Sequence, residues 1–404
     1  MRPGAVNRAP LAHGPSTDGA AVDRRRRKLL HAKHMSDDYE KIRAFVAKAL
    51  DWRQHGELPD HLRPSAYWSD FCKYSQYVRK LPPEELRNIR YHSWHLTGEN
   101  YQTYYFAPEW VKQSVLEEYS FLRGRLKSDQ VFNDGTAGIG FDSDHGRISL
   151  DVVRHMLVLV ELCDHARLSS TSPQTILEIG GGYGGLASQC MTFNPRIAYV
   201  IVDLEETMFY QAVNLSNRFG AERVALYDFE QDRCPEIRSG RFHLIPQSKA
   251  DALLTTRFDL AINQQSMQEM TAPQVERYCS LLSRTTKLFY SSNLPHHAQQ
   301  IRDEKGTVEN LNALLMRKFP VLWDSYADRP MMSRLASQWL PSAVVTMGQV
   351  ARSYLGRSPA IAKRYRRLTG EPLRRFSDAA LQRLVLATST EPMNALAKSA
   401  RIPV

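Results

Sequence analysis

Glu178, Gly180, Gly182, Gly184 and Asp203 are the residues whose types and spacing bear most directly on chemistry. Glycines at alternate positions let a backbone turn take up φ > 0 and approach a ligand closely. A helix predicted directly behind the turn presents free N–H groups to that ligand. Asp203 follows Gly180 by 23 residues, at the end of a second apolar run, where a carboxylate can hold the two hydroxyls of a ribose. Together they predict a nucleoside-containing cofactor. A second set could move protons: Glu269, His296 and His297 follow two later apolar runs. An imidazole titrates near neutrality unaided, whereas a carboxylate needs partial burial to become basic enough.

The glycines fit two patterns. Gly180, Gly182 and Gly185 satisfy G-x-G-x-x-G, the dinucleotide fingerprint. Glu178, Gly180, Gly182 and Gly184 satisfy E-x-G-x-G-x-G, and here the segment resembles class I S-adenosylmethionine-dependent methyltransferases. The leading acid separates the two. A carboxylate beside a pyrophosphate repels it, whereas a sulfonium and an ammonium tolerate it. The resemblance implies S-adenosyl-L-methionine as cofactor, with Glu178 toward its methionine end. Tyr183 within the turn and Leu204 after Asp203 belong to the same expected surface.

A further segment, Asn263-Gln264-Gln265-Ser266-Met267-Gln268-Glu269-Met270, follows the fourth predicted strand. Joined to Glu178-Ile179-Gly180-Gly181-Gly182-Tyr183-Gly184-Gly185, it resembles the sugar O-methyltransferase family. Val202-Asp203-Leu204, His243-Leu244-Ile245-Pro246 and Phe289-Tyr290-Ser291-Ser292-Asn293 extend the resemblance, which covers roughly residues 100–325. It implies methyl transfer to a hydroxyl of a sugar, glycolipid or nucleotide-sugar in polysaccharide biosynthesis. Glu269 is then a general base, with His296 and His297 as the alternative. Asn263 and Ser266 could hydrogen-bond cofactor or acceptor, and Asn263 could equally cap the following turn. Asp228, after the third predicted strand, stands where a carboxylate would meet the adenine amino group, or else it closes a turn.

The fourth-strand segment lacks the Asn/Asp-Pro-Pro-aromatic clamp of methyltransferases that act on a flipped base. No Asp and Asn cluster indicates a magnesium site. The five cysteines are scattered without a C-x-x-C pair, so neither a zinc site nor a disulfide framework is predicted, and a reducing cytoplasm is the expected compartment. No apolar run reaches the roughly 20 residues of a membrane span.

The elements that must position these residues alternate strand and helix from residue 173 onward. This predicts an α/β fold, a Rossmann-like parallel sheet flanked by helices. Strands are predicted at 175–179, 198–203, 223–227, 258–263 and 286–291, with a further one within 320–326. Helices are predicted near 184–193, 205–219, 273–284 and 308–319. Residues 36–172 read as a helical lid or acceptor region. Within it Tyr91, Trp94, Tyr101, Tyr104, Tyr105, Phe106 and Trp110 suit core packing, or an aromatic platform for a sugar. The glycine-rich stretch 133–147 reads as a connector or a gate over the cofactor, and Ser149 as the N-cap of the next helix. The cofactor domain spans 173–335, and 336–404 reads as a basic helical extension.

A net charge of +10 raises the question of nucleic acid. Residues 1–35 carry +6 and residues 351–376 carry +7, which leaves the rest of the chain at −3. The body is mildly acidic, and the two basic ends read as solvated arms, which argues against nucleic acid as the main partner. RNA or protein methylation, or a non-catalytic binding module, remain the alternatives, and a homo-oligomer is compatible with the sequence. Residues 1–35 are expected to be disordered, with Met35 as a second candidate start.

Overall fold

The computed structural model describes residues 17–55, 59, 62–135, 137–293, 300–302, 308–324 and 382–388. Its centre is an eight-stranded sheet. In chain order the strands are β1 (Thr175–Ile179), β2 (Ala198–Asp203), β3 (Val224–Leu226), β4 (Phe242–Pro246), β5 (Phe258–Gln264), β6 (Thr286–Asn293), β7 (Val321–Asp324) and β8 (Gln382–Ala387). They lie side by side as β7-β8-β6-β5-β1-β2-β4-β3. All neighbours run parallel except β8, which is antiparallel to both β6 and β7. The central strands are near-continuous apolar runs because helices cover both faces of the sheet. Ile176, Leu177, Ile179, Val200, Ile201 and Val202 are fully buried.

The chain leaves β1 toward β2 on one side and returns to β5 on the other. That reversal opens a crevice beyond the carboxyl ends of the strands. Helices Gly185–Phe193 and Glu205–Phe219 follow β1 and β2, and Ala272–Thr285 precedes β6. The predicted Rossmann-like sheet is therefore present, with strand and helix ends within about three residues of expectation.

Three features depart from the sequence reading. β4 inserts between β2 and β3, so the segment predicted as the third strand lies at the edge of the sheet. The reason is burial: all five residues of Phe242–Pro246 are buried, whereas Val224–Leu226 is only half-buried. Second, residues 382–387 form a strand inside the sheet, within a segment expected to be helical. Third, helix Thr17–His55 runs through residue 35, where the boundary of a disordered arm was expected. The basic stretch 351–376 lies outside the described residues.

The first third of the chain packs on the sheet through helix Glu205–Phe219. Tyr39 donates its hydroxyl hydrogen to Asn217 Oδ1 (2.7 Å), and Arg53 Nη1 donates to Glu205 and Glu206 (2.9 and 2.7 Å). Those two acids occupy the first turn of the helix, where negative charge is favoured by the exposed N–H groups. Helix Glu109–Leu126 buries Val115, Tyr119, Leu122 and Leu126, which recur at helical spacing. Ser149 caps helix Leu150–His165 by accepting from Val152 N (3.1 Å), as predicted.

A buried ion network joins these parts. Arg90 is 2% exposed. Its Nε donates to Asp134 (3.0 Å), its Nη1 to Ser93 Oγ (2.7 Å) and its Nη2 to Asp151. Arg154 pairs with Asp151 (2.7 Å) and Glu99 (3.5 Å). Burial pushes the Glu99 carboxyl up to about 8, with Asp151 adding to the shift and the two arginines opposing it. The guanidinium of Arg90 also lies 4.0 Å from the centre of the Tyr183 ring. Truncating one partner of such a network leaves uncompensated buried charge. Arg90→Met is expected to lower stability by about 3–5 kcal/mol in urea unfolding.

Candidate functional site

Beyond Ile179 the chain turns through glycines, with Gly180 at φ +77° and Gly182 at φ +57°. Side chains rarely tolerate this region. At Gly180 there is also no room, since an added Cβ would lie 2.2 Å from Ser266 Oγ. At Gly182 nothing stands within 4 Å of that position, so the backbone is bare toward the crevice. Helix Gly185–Phe193 starts just behind, as the spacing predicted.

The crevice encloses about 520 Å³, within the range of small-molecule sites. Glu178, Gly180, Gly182, Tyr183, Asp203 and Leu204 all line it. Asp203 holds the turn in place while facing the cavity. Its Oδ2 accepts from Gly182 N (3.1 Å) and Gln211 Nε2 (2.6 Å), and its Oδ1 accepts from Leu204 N (2.7 Å). Burial pushes its carboxyl up to about 6, and hydrogen bonds from the Thr207 side chain and the Leu204, Gly181 and Gly182 backbone pull it back. Gly184 does not line the crevice; it packs against Leu215.

Glu178 is 2% exposed and accepts from the Tyr199 hydroxyl (3.0 Å). Burial raises its carboxyl to about 8, with Asp203 adding to the shift. Glu269 also lines the crevice. Burial raises it to about 7, against hydrogen bonds from Trp68 and Gln268. Of the four carboxyl groups that line the cavity, Asp151 is paired with Arg90 and Arg154, and the other three each carry less charge near neutrality than they would in water.

The other predicted residues fall differently. Ser266 lines the cavity and donates to Ile179 O (2.7 Å). Asn263 is fully buried behind it: its Nδ2 donates to Ile179 O (2.9 Å), and its Oδ1 accepts from Asn293 Nδ2 (3.0 Å). It staples the ends of β1, β5 and β6 and does not line the cavity. Asp228 also lies away from the crevice. Its Oδ1 accepts from Glu230 N (2.9 Å) and Gln231 N (3.1 Å), which is the turn role. The insertion of β4 displaces it, and Gln247, just after β4, lines the crevice instead. His296 and His297 lie outside the described residues.

Sequence reasoning missed several lining residues. Gln264 ends β5, and Gln265 just after it adopts φ +60°, a conformation rare outside glycine. Their place in the fourth-strand segment was the signal that could have found them. Trp68, Arg154 and His155 come from the helical region ahead of the sheet and carried no local signal, whereas Trp94 belongs to the aromatic cluster. Burial pushes His155 down to about 4, so this imidazole is neutral. Of the aromatic cluster, Tyr104 is core, whereas Trp94, Tyr101, Tyr105 and Phe106 are exposed and only Trp94 reaches the cavity. The described residues of the glycine-rich stretch 133–147 do not line the crevice. No group of His, Cys, Asp and Glu among the described residues is arranged to hold a metal ion, and no helix among them is long and apolar enough to cross a membrane.

Comparison with protein families finds no match, and comparison with curated proteins finds none either. Among solved structures, the chain is similar to the cyclopropane synthase MmaA2 of Mycobacterium tuberculosis, at 12% identity over 70% of this chain and 99% of that one, with a TM-score of 0.32. It is similar to phosphoethanolamine N-methyltransferase 2 of Haemonchus contortus in complex with S-adenosyl-L-methionine, at 13% identity over 68% of this chain and 56% of that one, TM-score 0.29. A third is the cyclase SpnF, at 17% identity over 69% and 94%, TM-score 0.32. Their names denote three different reactions. Similarity this low assigns neither substrate nor cofactor to this chain.

The titration of Glu178 has a consequence for stability. Its carboxyl moves from the ordinary range up to about 8 on folding, so the folded state binds the extra proton in between. Stability is full below the ordinary carboxylate range and falls as pH rises through about 8. Glu178→Gln removes this titration. Between about pH 6 and pH 8.5 the variant is expected to lose roughly 2 kcal/mol less stability than the parent, read by urea unfolding.

Proposed function

We propose that the chain is an S-adenosyl-L-methionine-dependent O-methyltransferase whose acceptor is a sugar hydroxyl. The observation that carries this reading is that three carboxyl groups with raised proton affinity, Glu178, Asp203 and Glu269, join the arginine-paired Asp151 around one crevice at the switch point of the sheet. A dinucleotide would bring its pyrophosphate against Glu178, whereas a cationic ligand relieves the cost of burying that acid. The bare backbone at Gly182 and the size of the cavity fit an adenosyl ligand. In this reading Asp203 holds the ribose hydroxyls and Glu178 faces the ammonium and sulfonium end. Arg154, which lines the cavity while paired with Asp151 and Glu99, meets the methionine carboxylate.

When bound, the sulfonium supplies an activated methyl group. The protein's own contribution is then to position a hydroxyl in line with that methyl and to take its proton. Positioning alone can supply as much as roughly 7–11 kcal/mol in favourable cases. Glu269 accepts the proton, because a carboxyl raised to about 7 is basic enough while still ionised in part at neutrality. Gln264 and Gln265, with donors and acceptors on each amide, suit a hydroxyl-rich acceptor, and Trp68 and Trp94 supply flat apolar walls. The resemblance of Asn263–Met270 to the sugar O-methyltransferase family supports the same acceptor.

A labelled methyl-donor assay against cell-envelope glycans tests the proposal. Label is expected in a base-stable ether on a sugar; transfer to protein or RNA only, or no transfer by folded protein, would sink it. Asp203→Ala is expected to weaken S-adenosylhomocysteine binding by about 1.5–3 kcal/mol in calorimetry, through loss of charge-assisted hydrogen bonds. For Glu269→Gln, kcat is expected to fall about 10²- to 10⁴-fold with binding of S-adenosylhomocysteine retained. In the parent enzyme kcat rises as pH passes about 7 from below, where Glu269 loses its proton. The variant lacks that rise.

A further inference from the structure

A second cavity of about 560 Å³ lies on the other side of the Arg90 network from the crevice. Its walls are the turn before Arg90, the glycine-rich loop and the end of helix Glu205–Phe219. Arg87, Arg147 and Arg218 line it from three separate elements. The one carboxylate on its wall, Asp134, is already held by Arg90 Nε (3.0 Å) and Ile139 N (3.0 Å).

The three cations are poorly compensated. Arg218 donates to the carbonyl of Asn133 (2.6 Å), and its guanidinium lies 5.6 Å from the centre of the Phe219 ring. No ion pair is formed by Arg218 or Arg87 among the described residues. Arg147 donates to Tyr91 and to Gly138 O (2.9 and 2.7 Å), and its only carboxylate, Asp142, is 90% exposed and 3.4 Å away. Burial lowers the affinity of Arg218 for its proton, and Asp134 only partly offsets this. The body of the chain is otherwise mildly acidic, so three weakly paired cations beside the paired Arg90 on one cavity are not a general surface property. The glycine loop allows the approach: Gly135 takes φ +85°, and a Cβ there would lie 3.7 Å from Arg218 Cγ.

We infer that this cavity binds a phosphate ester of a small hydroxylated molecule, with Arg87, Arg147 and Arg218 around the phosphoryl oxygens. Guanidinium groups match phosphate geometry and hold their charge when desolvated. A free phosphate ion would leave most of the volume unfilled, whereas an ester places its polar body along Asn88 and Tyr91, which also line the cavity. The inference does not rest on the methyl-transfer reading, since none of these residues lines the crevice.

The test is calorimetric titration of the full chain with glucose 6-phosphate, inorganic phosphate and glucose. Glucose 6-phosphate is expected to bind, inorganic phosphate at least tenfold more weakly, and glucose not at all. Arg218→Gln and Arg87→Gln are each expected to weaken glucose 6-phosphate at least tenfold while S-adenosylhomocysteine titrations stay at the parent value. Arg87 is exposed, so its variant keeps the test open if Arg218→Gln fails to fold. Absence of binding, equal binding of glucose, or unchanged affinity in the Arg87 variant would overturn the site. Equal affinity for inorganic phosphate would overturn the ester and leave the free anion as the ligand.

Discussion

The arrangement of this protein depends on one buried guanidinium. Arg90 sits in the helical first third of the chain, yet its partners come from the glycine-rich loop, from helix Leu150–His165 and, through the Tyr183 ring, from the glycine turn of the crevice. A charge at this depth is tolerable only when its neighbours are fixed around it. The cost of desolvation therefore forces the three segments into one geometry. Without that constraint, the helical region would have no reason to present Trp94, Arg154 and His155 to the cavity.

The second organising feature is electrostatic frustration in the crevice. Glu178, Asp203 and Glu269 are raised by burial, and Asp203 raises both of the others. A fold optimised for stability alone would replace such groups with apolar or amide side chains. Perturbed carboxyl groups that converge on one cavity are the usual signature of a working site. In the proposed reading the strain is relieved by a ligand of opposite charge at one end and by proton transfer at the other. The same network that buries Arg90 separates this acidic crevice from the basic cavity behind it.

How far the sequence could be read varies with the range of the interaction. The glycine turn, the helix behind it and Asp203 lie within one strand-turn-helix-strand unit, and local pattern placed all of them. The Ser149 cap and the buried face of Glu109–Leu126 were equally local. The two readings of Asp228 could not be separated locally, because its place depends on which strand sits beside β2. Two short apolar runs compete for that place, and the better-buried one takes it. Asn263 looked like a ligand contact because it ends a strand at the crevice. Only the packing of three strand ends shows that it is a staple.

By itself the sequence determined the alternating strand and helix units, the left-handed glycines and the acid that ends β2, because each follows from backbone sterics and burial over a few residues. The tertiary structure decided the strand order around β4, the entry of residues 382–387 into the sheet and the wall that the first third lends to the crevice. It also decided the raised carboxyl groups and the arginines gathered on the second cavity. These depend on which distant segments exclude water from one another, and that desolvation has no counterpart in the spacing of residues along a chain.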